Sequence, residues 1–173
     1  LSGRLDDDRL HRLRHHRRLG RGLRHVGLLQ RRKTETDPNH SPLQHLAAIW
    51  PHLTRPADDP TEVSTRFPLP HPYVVVGGRF QEAYYWDSYF TQLGLLKTGQ
   101  FGLVRNMLDN FAHAIATIGH IPNGFRSYFL TRSQPPFFAA MVQDYGRATQ
   151  DLAAAYATYL PAMEAEYRYF TET

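Results

Sequence analysis

The sequence has 173 residues, no cysteine and a formal net charge of +4, which excludes a disulfide framework or a thiolate metal site and leaves the redox compartment open. Its apolar runs, such as residues 152–157, are far too short to span a bilayer, so no membrane partner is expected. The charge is uneven: residues 1–33 carry eleven Lys and Arg against three acids, while residues 34–173 carry nine against thirteen.

Residues 1–33 are rich in Arg, Leu, His and Gly, and Gly20, Gly22 and Gly27 interrupt any helical stripe of Leu10, Leu13, Leu19 and Leu23. The segment reads either as a basic arm for nucleic acid or anionic lipid, or as a disordered or non-native tail. No aromatic side chain interleaves its basic residues, which argues against single-strand binding. The remainder, residues 34–173, is net acidic and is not expected to bind nucleic acid.

Ser41 and Pro42 supply an N-cap and a first-turn proline for a helix running to about Trp50, where Pro51 is expected to end it. Five prolines between residues 55 and 72 predict an extended connector. Residues 73–76 form a short β-like run before the Gly77-Gly78 pair. A helix is predicted from about Asp87 to Lys97, stopped at Gly99, and another from about Gln100 to Ile118. In the second, Val104, Met107, Leu108, Phe111, Ile115 and Ile118 recur every three or four positions, the spacing of one buried face. Gly119 closes it as a left-handed C-terminal residue. A long polar loop over residues 119–135 is followed by a helix opening at Pro136. The last stretch predicts two helices, about 151–159 and 161–169, with Pro161 starting the second. No period-two strand ladder appears, and the fold class is all-α.

The most informative stretch is residues 77–90. Six of the eleven residues from Phe80 to Phe90 are aromatic, with Arg79, Glu82 and Asp87 among them. Flat apolar faces beside charged hydrogen-bonding groups suit a sugar: rings stack on the C–H faces of a pyranose while Arg and Asp hold its hydroxyls. A core needs aromatics but gains nothing from three charges threaded through them. Taken singly, each residue keeps a plainer reading. Arg79 after two glycines either forks onto hydroxyls or pairs with Glu82 across a turn. Asp87 is either a substrate acceptor or a helix N-cap. Trp86 offers an apolar wall, and Tyr84, Tyr85 and Tyr89 read as support or core. Asn123, between Pro122 and Gly124, suits an ordinary β-turn as well as a hydroxyl that both gives and takes a proton. Arg126 divides evenly between a site and a structural salt bridge.

Other chemistry finds no pattern. Four of the ten histidines fall in residues 1–33, no HExxH-type spacing occurs, and no metal is expected. A GxGxxG or Walker loop and a GxSxG elbow are absent from the sequence, so no cofactor is implied.

The run Gly77-Gly78-Arg79-Phe80-Gln81-Glu82-Ala83-Tyr84-Tyr85-Trp86-Asp87-Ser88-Tyr89 resembles a signature of the trehalases. A second block, Gly119-His120-Ile121-Pro122-Asn123-Gly124-Phe125-Arg126-Ser127-Tyr128 through Arg132-Ser133-Gln134-Pro135-Pro136-Phe137-Phe138, is similar to another. Residues 49–55 and 69–75 also resemble the family, and the likeness runs from about Asn39 to the C-terminus. Val76 departs from it, standing where the family usually has Pro. The resemblance implies a partial (α/α)6 toroid, roughly its first four to five helices, in residues 34–173 of a longer protein. It implies hydrolysis of α,α-trehalose to two glucoses by an inverting acid–base pair of carboxylates. It places Arg79, Trp86, Asp87, Asn123, Arg132, Ser133 and Gln134 against the substrate. The acid and base are expected beyond Thr173, so this chain is expected to carry recognition groups and to be inactive alone. Two alternatives stand beside it: another (α/α)6 glycosidase such as a glucosidase, and a nucleic-acid-binding protein acting through the basic tail.

Overall fold

The computed structural model describes residues 37–172; the basic segment 1–33 lies outside the described residues. Five α-helices occur among the described residues: α1 Pro42–Leu53, α2 Tyr85–Lys97, α3 Phe101–Ile118, α4 Phe138–Ala148 and α5 Leu152–Glu172. The all-α expectation holds.

Helix α1 begins as the sequence predicts. The Ser41 hydroxyl accepts the Gln44 N–H at 3.3 Å and the Gln44 side chain accepts the Ser41 N–H at 2.9 Å, a reciprocal cap with Pro42 in the first turn. Its end differs from the expectation, because the helix passes through Pro51 to Leu53. Pro51 is solvent-exposed, so the hydrogen bond its ring removes costs little where water has access. The Thr54 hydroxyl also donates to the Trp50 carbonyl at 2.8 Å and closes the turn.

Two residues of strand do form: β1 Thr54–Arg55 pairs antiparallel with β2 Tyr73–Val74, Thr54 opposite Val74 and Arg55 opposite Tyr73. The proline-rich connector between them is folded over a carboxylate. Asp58 accepts from Arg66 Nη1 at 2.7 Å, from the Leu69 N–H at 3.1 Å and from the Tyr73 hydroxyl at 3.1 Å. Burial, followed by the Asp58 charge, pushes the Tyr73 phenol up to about 12. Asn110 of α3 grips the same connector from behind, accepting the His71 N–H and donating to the His71 carbonyl, both at 2.9 Å.

The core centres on α3. Val104, Met107, Leu108, Phe111, Ala114 and Ile115 are buried, and they form one stripe at the expected helical spacing. Gly119 ends the helix with φ 86°, returning its N–H to Ile115. Helices α1 and α2 meet where the Trp50 ring lies only 3.0 Å from the place a Cβ on Gly94 would take. The indole N–H donates to the Thr98 hydroxyl at 2.8 Å.

Helix α4 opens at Phe138, two residues later than expected. The two predicted C-terminal helices are one: α5 continues through Pro161. Pro161 faces solvent, while Ala155, Tyr159 and Glu166 on either side of it stay buried. A break at the proline would expose that shared face, which costs more than one hydrogen bond lost to water. On the buried side the Tyr159 hydroxyl donates to Asp109 of α3 at 2.6 Å.

Candidate functional site

Residues 77–90 and 119–138 lie side by side. The Phe125 N–H donates to the Ala83 carbonyl and the Tyr85 N–H to the Asn123 carbonyl, each at 3.3 Å, with Tyr84 bridged to Gly124. The approach is close because position 124 is glycine. A Cβ there would sit 2.9 Å from the Tyr84 ring and 3.1 Å from Phe129.

This pairing decides how α2 starts. A helix leaves its first N–H groups without intrahelical acceptors. Tyr84 occupies the cap position and its side chain makes no capping bond. The second segment satisfies the donors instead: Asn123 takes the Tyr85 N–H through its carbonyl, and Gln134 Oε1 takes the Trp86 N–H at 3.0 Å. Asp87 is therefore not the N-cap. It sits in the first turn, where the positive end of the helix favours a carboxylate.

The loop over residues 119–135 is less polar than its sequence implies. Ile121 and Phe125 are each 1% exposed, and Phe125 stacks on Phe111 of α3 with centroids 5.9 Å apart and planes 4° apart. Anchored there, the loop folds back on itself. The Asn123 N–H donates to the Arg132 carbonyl at 2.8 Å, and the Ser133 hydroxyl donates to the Ile121 carbonyl at 2.6 Å. Asn123, Arg132, Ser133, Gln134 and Trp86 are thus held in one hydrogen-bonded cluster, with Ser133 directed inward by its own bond. Among the described residues no three His, Asp or Glu side chains gather where they could hold a metal ion.

Arg79 belongs to the same face through aromatic contacts. Gly77 and Phe80 close a tight turn by reciprocal backbone bonds, with Gly77 at φ 99° and Gly78 at φ 60°. The Arg79 guanidinium rests over the Phe80 ring at 4.9 Å. Phe80 meets Tyr84 edge-on at 5.6 Å, Tyr84 meets Phe129 at 5.9 Å, and Arg132 lies over Phe129 at 5.0 Å. The result is a row of three rings with a guanidinium over each end.

Glu82 does not pair with Arg79. Its carboxylate receives Arg126 Nε at 2.7 Å and Nη2 at 2.6 Å, and Arg126 also reaches the Thr65 hydroxyl at 3.1 Å. Arg126 is the structural ion pair of the two readings its sequence position allowed. Burial, then the Glu82 charge, raises the nearby Tyr84 phenol above its ordinary value.

Two features escaped the sequence. The Tyr85 hydroxyl donates to buried Glu166 of α5 while accepting the Phe137 and Phe138 N–H groups, and no local pattern signals a contact 81 residues apart. Tyr169 and Phe170 of α5 also join Thr131, Arg132, Ser133, Gln134 and Pro135 around an open cleft of 460 Å³. An aromatic pair ending a helix was its only trace in the sequence.

The five helices fit part of an all-α (α/α)6 fold. The chain belongs to the trehalase family, whose model matches residues 27–173. It is 58% identical over 128 residues to a periplasmic trehalase of Pseudomonas aeruginosa, covering 74% of this chain and 23% of that protein. It is 54% identical over 129 residues to a periplasmic trehalase of Xanthomonas oryzae pv. oryzae, covering 75% and 22%. Among solved structures, the neutral trehalase of Saccharomyces cerevisiae matches with a TM-score of 0.53 and 37% identity, over 56% of this chain and 18% of that one. The chain thus spans less than a quarter of the length of the curated relatives it matches.

Proposed function

We propose that the gene product carrying this chain is an α,α-trehalase, and that this chain contributes substrate recognition. The observation that carries the reading is the Trp86 N–H bonded to Gln134 Oε1. It joins the two polar–aromatic segments, 48 residues apart, into one surface. On it, Arg79 and Arg132 offer planar forks for vicinal hydroxyls, Asn123 and Gln134 offer amides, and Asp87 offers an acceptor. Trp86 supplies an exposed ring for a pyranose face. Ser133 holds the loop that positions its neighbours.

Inverting hydrolysis needs one carboxylic acid to protonate the leaving oxygen and a second carboxylate to activate water on the opposite face. Glu82 is committed to Arg126, and Asp87 is assigned to hydroxyl binding. The acid and base are assigned, as the family resemblance implies, to residues outside this chain.

The test is turnover by the complete gene product on a panel of trehalose, maltose and an aryl glucoside. Strong preference for the 1,1-linked disaccharide supports the reading. Preference for maltose or the aryl glucoside would replace it with a glucosidase of the same architecture, and no turnover on any of them would reject it.

A further inference from the structure

We propose that Phe170, with Tyr169 beside it, is the apolar platform of a glucose subsite whose polar side is Arg132 and Gln134. The proposal rests on the trehalose reading above and adds to it residues from α5. The 460 Å³ cleft these groups line falls within the size range of small-ligand sites. One side carries Arg132 and Gln134 and the other Tyr169 and Phe170, the pairing of edge donors with a stacking face that a pyranose requires.

A single exposed phenyl ring is ordinary on a protein surface, but the setting of this one is not. Phe170 lies one helical turn beyond Glu166, on the same side of α5, and Glu166 is fixed to the Tyr85 hydroxyl at the start of α2. Tyr169 is stacked on His120 with centroids 4.5 Å apart and planes 5° apart, and Phe170 meets Tyr169 edge-on at 5.1 Å. The ring is held by these contacts and is still 41% exposed, the same fraction as Trp86. Gln134 links the two residues: its side chain takes the Trp86 backbone N–H, and it lines the cleft with Phe170. A disaccharide brings two pyranose rings, and this surface offers two exposed aromatic faces beside one polar cluster.

The experiment measures kcat and KM for trehalose on the complete gene product and on Phe170→Ala, Phe170→Trp and Tyr167→Ala, with the thermal midpoint of each. Tyr167 is exposed on the same helix and lines no part of the cleft. Phe170→Ala is expected to lower kcat/KM about tenfold at an unchanged midpoint, the size of one aromatic stacking contact. Phe170→Trp should recover activity to within about threefold of wild type, and Tyr167→Ala should match wild type. A Phe170→Ala enzyme as active as wild type overturns the inference and leaves the trehalase reading standing. A loss that comes with a lowered midpoint and that Trp does not restore also overturns it, because the ring would then be structural. A wild-type protein inactive on trehalose rejects the functional reading, and this inference with it.

Discussion

The Tyr85 hydroxyl donates its proton to the Glu166 carboxyl while accepting the backbone N–H groups of Phe137 at 2.9 Å and Phe138 at 2.8 Å. One phenol oxygen therefore ties the first residue of α2, the opening of α4 and the last turns of α5 together. The two N–H groups belong to the unsatisfied end of α4 and have no helical acceptor. Tyr85 is fully buried and Glu166 is 4% exposed, so water cannot substitute. Removing the hydroxyl alone, as Tyr85→Phe, strands two backbone donors and one carboxyl. The expected loss is on the order of 3 kcal/mol, read as a lower urea midpoint at unchanged m-value; a loss below about 1 kcal/mol would show that the junction has other support.

The same carboxyl gives the fold a pH dependence. Burial pushes Glu166 up to about 7 from an ordinary 4.5, a rise that the Tyr85 hydrogen bond partly offsets. Its folded value lies above its unfolded value, so the folded state holds the extra proton between those two limits. The favourable contribution is complete below about 4.5 and is lost as pH rises through about 7. Wild type should therefore lose a few kcal/mol relative to Glu166→Gln between pH 5 and pH 8. Parallel stability curves for the two proteins would mean the carboxyl is ionised throughout.

Arg126 and Glu82 pin segments 77–90 and 119–138 together, and the Glu82 side chain is only 11% exposed. Arg126→Ala leaves that carboxylate unpaired and is expected to cost about 2–3 kcal/mol, the low end for breaking a buried pair because Arg126 is partly exposed. Glu82→Gln combined with Arg126→Ala should cost less than the two changes summed. Chemical denaturation of all four proteins gives the coupling energy directly, and a coupling near zero refutes the pinning role.

Gly124 is where the segments come closest. An alanine methyl at this position meets the Tyr84 ring at 2.9 Å and 3.0 Å and Phe129 at 3.1 Å, so rings or backbone must move. Gly124→Ala should cost about 1–3 kcal/mol by overpacking and should lower trehalose kcat/KM, since Asn123 and Tyr84 flank the strained contact. Wild-type kinetics together with wild-type stability would place the contact outside the site.

Much of the fold was legible from local pattern. The Ser41 cap, the apolar stripe of α3 and the left-handed Gly119 are decided by interactions within four residues, so the sequence carries them openly. The aromatic–charged run and the 119–138 block likewise stood out by residue type, and the fold brings them together. What needed the tertiary structure was every choice between local rules and distant packing. Pro51 and Pro161 end helices by local rule, yet each faces solvent, where a lost hydrogen bond costs little beside the buried face kept intact. Asp87 reads locally as an N-cap, but Gln134 and Asn123 arrive from the second segment and take the N–H groups first. Glu82 found Arg126 rather than Arg79, and Tyr85 found Glu166 across 81 residues. Such pairings follow from which surfaces the packed helices bring together, and a linear chain holds no record of that until its apolar faces have been buried.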